Sequence, residues 1–154
     1  MNFENLDEDV LERQAITYLS ILKISPSING YHYLKSCFKK ICHDSSKKFK
    51  VNKVLYPEIA EEFNVENNLI DRSMRHAMRM SFKRGGIENM EKYLHFKFSS
   101  AIPTPREVLC VLVEVAEKEK RKFILEIVQE QDKVLHKVLT ENTEKFLKEI
   151  SSYR

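Results

Sequence analysis

NNLIDRSMRHAMRMSFKRG, residues 67–85, is the stretch of this sequence that decides the fold. Its apolar residues recur at steps of three and four, which predicts an amphipathic helix with one face on a core. The inward positions are Leu69 or Ile70, then Met74, Ala77, Met78 and Ser81 or Phe82. The opposite face carries Arg72, Arg75, His76, Arg79, Lys83 and Arg84. An apolar back and an Arg-rich front suit a helix that enters the DNA major groove, although a solvated basic face has the same pattern.

The two ends of this helix also have sequence signals. Asn67 or Asn68 can cap the N-terminus, and Asp71 is expected in the first turn, where the helix dipole favours a negative charge. Gly85 and Gly86 are expected to end the helix, because glycine readily adopts the left-handed conformation of a C-terminal cap.

The preceding segment, VLYPEIAEEFNV at residues 54–65, predicts a second helix that packs against the first. Pro57 suits the first helical turn, where its missing N–H is not needed. Ala60 is small enough to let another helix cross closely, and Asn64 can adopt the left-handed conformation that ends a helix. The inward residues are expected to be Ile59, Ala60 and Phe63. A short helix, a corner and a basic second helix form the pattern of a helix-turn-helix, whose second helix enters the major groove.

Further amphipathic patterns predict helices over residues 6–23, 31–43 and 87–94. The Lys-rich stretch 44–52 is expected to be a loop within reach of phosphate, and residues 95–98 a short extended piece. Thr104 and Glu107 have the spacing of a capping box, which predicts the start of another helix. That helix continues through residues 108–115, which are apolar almost all round, as in a helix that is buried or shared with a partner chain.

The last stretch, residues 117–154, predicts one very long helix or two long ones, because no Gly or Pro follows Pro105. Gln131 and Asn142 interrupt its apolar stripe, so it is not a clean heptad seam. The stripe comprises Phe123, Ile124, Ile127, Val128, Leu135, Val138, Leu139, Phe146, Leu147 and Ile150. It has to fold back on the domain or pair with another chain, and we favour a homodimer or a heteromeric partner. A membrane-surface helix is disfavoured because the polar face mixes acids and bases.

Composition and these helical patterns predict an all-α protein: a compact multi-helix domain containing a helix-turn-helix, plus a long C-terminal amphipathic helix. The net charge is only +3, but nine Lys or Arg face five acids between Lys47 and Arg84. The positive charge is therefore concentrated around the opening stretch. We expect no signal peptide and no membrane span, and hence a cytoplasmic protein with reduced thiols.

Catalysis and cofactor binding have little support in the sequence. Cys37, Cys42 and His43 superficially resemble metal ligands, but their spacing is irregular and no second ligand pair follows, so buried thiols are the better interpretation. The chain contains no Gly-rich phosphate loop or nucleophile constellation, and its five His are scattered. We therefore expect no enzyme activity, no catalytic residues, no metal, no cofactor and no small-molecule substrate.

Five blocks of the sequence resemble a known family in the right order. They are GYHYL at 30–34, KVLYPEIAEEFN at 53–64, DRSMRHA at 71–77, SFKRG at 81–85 and PTPRE at 103–107. The family is the DNA-binding effector domain of the stage-zero sporulation response regulator, and the resemblance covers roughly residues 15–117. On that basis we divide the 154 residues into an acidic lead-in at 1–14, a DNA-binding domain at 15–117 and a helical extension for dimerisation or partner binding at 118–154. The resemblance implies a compact all-helical domain of about six helices with a helix-turn-helix. It also implies binding to double-stranded DNA at short repeated sites, often by two domains side by side.

The resemblance places DNA contacts at the start and middle of the second helix. Carried over position by position, the resemblance assigns Arg72, Arg75 and His76, which match outright, and Asp71. The full set of DNA-binding residues that we predict is Asn68, Leu69, Asp71, Arg72, Arg75, His76, Arg79 and Lys83. An Arg can bind guanine through O6 and N7, and an acid can accept from cytosine N4. Arg75 or His76 can hold a phosphate, which fixes register without reading sequence.

Two positions depart from the family. Leu69 stands where the family typically has a base-reading Arg, and losing such a contact removes about 1–3 kcal/mol of discrimination. Asp71 stands where the family usually has Glu. Both departures predict an altered site preference.

The resemblance also has an architectural departure. The family's regulator carries an N-terminal receiver domain, whereas about fourteen residues precede the match here, so we expect no phosphorelay control by that route. The leading hypothesis is a sequence-specific transcriptional regulator that associates through its C-terminal helix. The alternative is a protein-interaction module that modulates or antagonises a full-length relative without specific DNA binding.

Overall fold

The computed structural model describes residues 3–152, which contain six α-helices and no strand. The helices are α1 (Phe3–Ile21), α2 (Asn29–His43), α3 (Tyr56–Phe63), α4 (Asn67–Lys83), α5 (Gly86–Leu94) and α6 (Pro105–Ser152). The predicted all-α class is confirmed. The described residues divide into two units, one up to Val115 and one from Ala116 onward, and α6 runs through the division.

Helix α1 begins at Phe3, three residues before the helix predicted at 6–23, so the acidic segment is helical and not a loose lead-in. Residues 1 and 2 lie outside the described residues. Ion pairs with α2 hold the acidic part of this helix. Glu12 contacts Lys35 at 2.7 Å and Lys39 at 2.9 Å, and Glu8 pairs with Lys39 and with His43. These contacts give the acidic residues partners that a sequence pattern does not reveal.

Helices α3 and α4 form the predicted helix-turn-helix corner. Asn64 ends α3 in the left-handed conformation, with φ 53°, and its N–H donates to the carbonyls of Ala60 and Glu61. The Val65 N–H donates to the Ala60 carbonyl at 2.9 Å, and Ala60 itself is buried. Phe63 was expected on the inner face but is 37% exposed, because its ring packs edge-on against Tyr33 at the margin of the core.

Helix α4 is the central element of the first unit, because α2, α3 and α5 all pack against it. Gly30 of α2 sits so close to the backbone of Ser73 and to Ala77 that a Cβ there would overlap them. Near the other end, the Ser81 hydroxyl donates to the Leu22 carbonyl at 2.6 Å. Gly86 lies against the same carbonyl, with no room for a side chain. Close backbone contacts near both ends of α4, at Gly30 and at the Leu22 carbonyl, therefore fix its position.

The ends of α4 differ in part from the prediction. The N-cap position is Glu66 and has no side-chain cap hydrogen bond, so neither Asn67 nor Asn68 caps the helix. Asp71 consequently lies in the second turn, where it bonds to side chains and not to the helix end. The C-terminal prediction is confirmed, since Gly85 follows the helix with φ 75°.

The connecting segments are more regular than expected. The Lys-rich stretch is not an open loop but a 3₁₀ turn, Ser45–Phe49, followed by a π-helical turn, Val51–Leu55. Residues 95–98 form no strand, and the rings of Phe96 and Phe98 meet edge-on instead. The predicted capping box at the start of α6 is confirmed: the Glu107 N–H donates to Thr104 Oγ1, and the Thr104 N–H donates to Glu107 Oε2, each at 3.2 Å.

The C-terminal unit, taken by itself, is helical from Ala116 to Ser152, and residues 153 and 154 lie outside the described residues. Of the two forms that the sequence allowed, one long helix is the observed one. Its large apolar side chains, from Phe123 to Ile150, are each between 41% and 62% exposed.

Candidate nucleic-acid interface

The two faces of α4 separate as predicted. Ile70, Met74, Ala77 and Met78 are at most 1% exposed, and Ser81 completes the buried side. The basic side chains lie on the exposed side: Arg72, Arg75, His76, Arg79, Lys83 and Arg84. Asn68 is exposed as well. Phe82, the alternative inward residue, is 46% exposed. The basic side chains therefore extend from a helix whose opposite face is fully packed.

Asp71 connects the basic surface to the helix before it. One of its carboxylate oxygens accepts from Arg75 Nε at 2.8 Å, and the other accepts from the Tyr56 hydroxyl at 3.3 Å. Burial raises the pKa of Tyr56, and the neighbouring Asp71 charge raises it further. The hydroxyl therefore stays protonated and able to donate a hydrogen bond. The hydrogen bond to Asp71 raises the pKa of Arg75. The result is a Tyr–Asp–Arg chain of hydrogen bonds that orients one guanidinium.

Arg72 has a looser environment than Arg75. Its Nε donates to the Asn68 carbonyl one turn earlier, at 3.4 Å, near the upper limit of hydrogen-bond length. Since Arg72 is exposed and its only side-chain bond given by the structure is this long one, its guanidinium can reorient toward a ligand. Arg75 and Arg72 therefore differ: Asp71 holds Arg75, whereas Arg72 can change its orientation.

Leu69 is half-buried and lies in a groove of about 440 Å³ between α4 and the start of α2. The groove is lined by Ser27, Ile28, Asn29, Gly30, Leu69, Arg72, Ser73 and His76. Leu69 contributes an apolar side chain to this groove, and Arg72 and His76 follow it about one and two turns further along the same face of α4.

The Lys-rich segment before α3 adds further positive charge to this unit. Lys47 pairs with Glu58 at 2.8 Å, which ties the 3₁₀ turn to α3. Lys50 and Lys53 are exposed, and Lys48 lies over the ring of Phe49, which is 70% exposed. The segment thus offers cations on a structured turn.

The cysteine and histidine residues do not form a metal centre within residues 3–152, where no group of three His, Cys, Asp or Glu is arranged to hold a metal ion. Cys37 is fully buried between helices, and burial raises the pKa of its thiol well above the usual range. The buried-thiol interpretation is confirmed for Cys37, while Cys42 and Cys110 are half-buried.

The structure brings all eight residues predicted for DNA binding onto one helix, but their DNA contacts stay a prediction. Sequence reasoning did not find Tyr56, whose hydroxyl reaches Asp71 from fifteen positions earlier. It also missed Gly30 and Ser81 as the residues that position α4. A Tyr directly before the Pro of α3 was the available signal, although its hydrogen-bond partner could not be read from spacing.

None of the helices in residues 3–152 combines the length and the apolar character that a membrane span requires.

Comparison with known families agrees with this geometry. Residues 16–116 match the family model described as "Sporulation initiation factor Spo0A C terminal". The match covers about two-thirds of the chain, including all of α2 to α5 and therefore the complete helix-turn-helix. The family comprises DNA-binding transcription-factor domains and is not an enzyme family. The chain therefore belongs to the family of the C-terminal domain of sporulation initiation factor Spo0A, a DNA-binding domain of transcription regulation in sporulation.

Proposed function

We propose that this protein is a sequence-specific transcriptional regulator that inserts the exposed face of α4 into the DNA major groove. The observation that carries the proposal is the separation of α4 into a fully buried back and an exposed face of Arg, Lys and His, within a helix-turn-helix of a DNA-binding family. Such a helix enters the major groove, where each base pair presents a distinct pattern of donors and acceptors.

Each residue of the face takes a role that fits its environment. Arg72, which can reorient, reads a guanine through O6 and N7. Arg75, held by Asp71, contributes a fixed cation, so Asp71 acts mainly by positioning Arg75 and secondarily by accepting from a base. Four further residues contact the DNA backbone and fix the register of the helix: Asn68, His76, Arg79 and Lys83. Leu69 offers an apolar contact, of the kind that a thymine methyl group accepts.

Selection of bound sequences from a random duplex pool, using the full chain at physiological salt, tests the proposal. We expect a defined motif with at least one required guanine. Arg72→Ala should weaken binding to that motif by about 10- to 100-fold, the equivalent of one bidentate contact, and relax the preference for guanine at one position. Arg13→Ala on α1 is the charge-matched control and should leave the motif unchanged. Equal affinity for selected and scrambled duplexes would favour the alternative, an interaction module without specific DNA binding.

The Tyr56–Asp71–Arg75 chain can be tested separately. Tyr56→Phe removes only the hydroxyl, so the fold is kept while one restraint on Asp71 is lost. If Asp71 works only through Arg75, Tyr56→Phe and Asp71→Asn should alter DNA binding in the same way as Arg75→Ala. If Asp71 reads a base directly, Asp71→Asn should instead change a position that Arg75→Ala leaves intact. Circular dichroism spectra of the variants establish that each one is folded.

The proposed regulator acts as a dimer that associates through residues 118–154. The large exposed apolar side chains of this segment support the proposal, because exposed apolar stripes of this length mark interaction surfaces. Leu135→Asp should shift the full chain to monomer in light scattering, whereas Lys137→Asp, on the polar side, should not. A monomeric wild-type chain at micromolar concentration would exclude association through this segment.

A further inference from the structure

The apolar stripe of the C-terminal unit repeats every eleven residues. Ile124, Leu135 and Phe146 are spaced by eleven, and so are Val128, Leu139 and Ile150. The two polar residues that interrupt the stripe obey the same rule, since Gln131 and Asn142 are also eleven apart. Ile127 and Val138 are also eleven apart, and Glu149 is the third residue of that series. The interruptions are therefore members of the repeat and not breaks in it.

An eleven-residue repeat places three helical turns in eleven residues, or about 3.67 residues per turn, which predicts a right-handed supercoil. The four repeating positions lie within about 100° of one another on the helix, so they form one continuous seam. A seven-residue frame started at Ile124 fails. Whichever of its core positions Ile124 occupies, it places Lys145 in the seam and leaves Phe146 and Ile150 outside.

We propose that residues 123–150 form a parallel, right-handed two-stranded coiled coil with a second copy of this chain, with Gln131 and Asn142 as polar layers. This rests on the association in the proposed function and specifies its geometry. The amount of exposed surface supports a second copy as the occupant. Twelve large apolar side chains at 41–62% exposure lie on this helix between Phe123 and Ile150. Pairing two such helices buries roughly 1,500 Å², a typical area for a stable specific interface.

The parallel direction follows from how the apolar surface is distributed along the helix. It is broad at the start, where Phe123, Ile124, Leu125, Ile127 and Val128 are all exposed. It is narrow at the end, where Glu149 takes the seam position that Ile127 and Val138 occupy earlier, and Lys145 lies beside the seam. In a parallel pair, the broad apolar start of one helix packs on the same part of the other helix, and the two narrow ends pack on each other. An antiparallel pair would place the broad apolar start against the charged end and leave apolar surface in water.

The polar layers reinforce this arrangement. In a parallel pair, Gln131 lies opposite Gln131 of the other copy, and Asn142 lies opposite Asn142. Each side-chain amide can therefore donate to and accept from the same amide of the other copy. A polar residue inside a seam lowers stability but specifies register and the number of strands. Two such layers, eleven residues apart, hold the helices in one register.

Disulfide formation in full-length variants tests the geometry. Ile150→Cys places a thiol in the seam, where a parallel pair brings it opposite itself within disulfide reach. We expect rapid, near-complete disulfide-linked dimer under mild oxidation, measured by non-reducing electrophoresis. Lys145→Cys, which an ordinary heptad would place in the seam, and Lys137→Cys on the polar face should cross-link at least tenfold more slowly. The wild-type chain controls for Cys37, Cys42 and Cys110.

Each alternative gives a different result. Cross-linking of Lys145→Cys in preference to Ile150→Cys would overturn the eleven-residue register. A disulfide between mixed Ile124→Cys and Ile150→Cys chains, without Ile150→Cys homodimers, would overturn the parallel direction. A chain that is monomeric in light scattering would overturn the coiled coil while leaving DNA reading by α4 intact. Sequence selection on the same wild-type sample reports that function independently, so the two failures are distinguishable.

Discussion

Helix α4 and the C-terminal unit have the same kind of sequence pattern and opposite environments. Apolar residues recur at helical spacing in both, but Met74 and Met78 are at most 1% exposed, whereas Leu135 and Leu139 are 58% and 56% exposed. In α4 the neighbours that cover the apolar face come from α2, α3 and α5. In residues 116–152 no other element of that unit is available to cover it. Helical periodicity thus predicts that a face needs covering, and only the structure identifies what covers it.

The substitution with the largest expected effect on the folding of one unit alone disrupts a close backbone contact in the first unit. Gly86→Val would place a side chain on the Leu22 carbonyl, against which the Gly86 backbone lies directly. We expect the first unit to lose cooperative thermal unfolding, measured by circular dichroism, while helical signal from the C-terminal segment persists at high protein concentration. Gly85→Ala is the control: it meets no atom within 4 Å but carries φ 75°, so it should cost only about 1 kcal/mol. A fully folded Gly86→Val chain would contradict the close approach.

A pair of matched truncations compares the two units directly. Met74→Ala empties a fully buried site and should lower the free energy of unfolding by about 2–5 kcal/mol at any protein concentration. Leu139→Ala should leave the unfolding of a dilute monomer almost unchanged and weaken association instead. Denaturant unfolding at two concentrations at least a hundredfold apart measures both effects. An equal, concentration-independent loss in the two variants would show that Leu139 is covered within its own chain.

Two threonines, one in each unit, compare the two regions again, with smaller expected effects on stability. Thr104 caps the first turn of α6 through reciprocal bonds with Glu107, whereas the Thr140 hydroxyl only bonds back to the His136 carbonyl within the helix. Thr104→Ala should therefore destabilise the first unit by about 1 kcal/mol. Thr140→Ala should have little effect, because such back-bonding does not support a helix. Thermal unfolding followed at 222 nm checks both, and a larger loss for Thr140→Ala would contradict the capping assignment.

The features that the sequence predicted correctly are local ones. The left-handed Asn64, the helix end at Gly85 and the capping box at Thr104 each depend on residues within about four positions, so a pattern contains the whole cause. The features that it did not predict depend on distant partners. Tyr56 reaches Asp71 across the helix-turn-helix, and Glu12 of α1 pairs with Lys35 of α2. No spacing rule carries that information.

The candidate site also has features that the sequence predicted and features that it did not. Periodicity was enough to place the basic residues on one face of α4 and the apolar residues on the other. It did not distinguish Arg75, held by an acid, from Arg72, which is bonded only weakly to a carbonyl. That distinction arises from packing against Tyr56, a side chain of the preceding helix. The residues of a site can be listed from sequence, but their order of importance depends on such contacts.

The smallest expected effect concerns pH and the ion pairs between α1 and α2. Hydrogen bonds from Lys35 and Lys39 lower the pKa of Glu12, and those from Lys39 and His43 lower the pKa of Glu8. Burial acts against the charge of Lys39, but its bonds to Glu8 and Glu12 prevail and raise its pKa. Carboxylates with a lowered pKa stabilise the fold above their ordinary value of 4.5, and that stability is lost as the pH falls through the folded pKa.

The lysine acts at the opposite end of the pH range. Its raised pKa contributes stability below its ordinary value of 10.5, which is lost as the pH rises through the folded pKa. The cluster thus supports the fold between about pH 4.5 and 10.5. Because these groups are partly exposed, Glu12→Gln should cost under about 1 kcal/mol at pH 7, and the cost should shrink as the pH falls below 4.5. Glu141→Gln in the C-terminal unit is the matched control, and urea unfolding across this range measures both. A cost for Glu12→Gln that persists unchanged at pH 3 would mean that Glu12 contributes by packing rather than by charge.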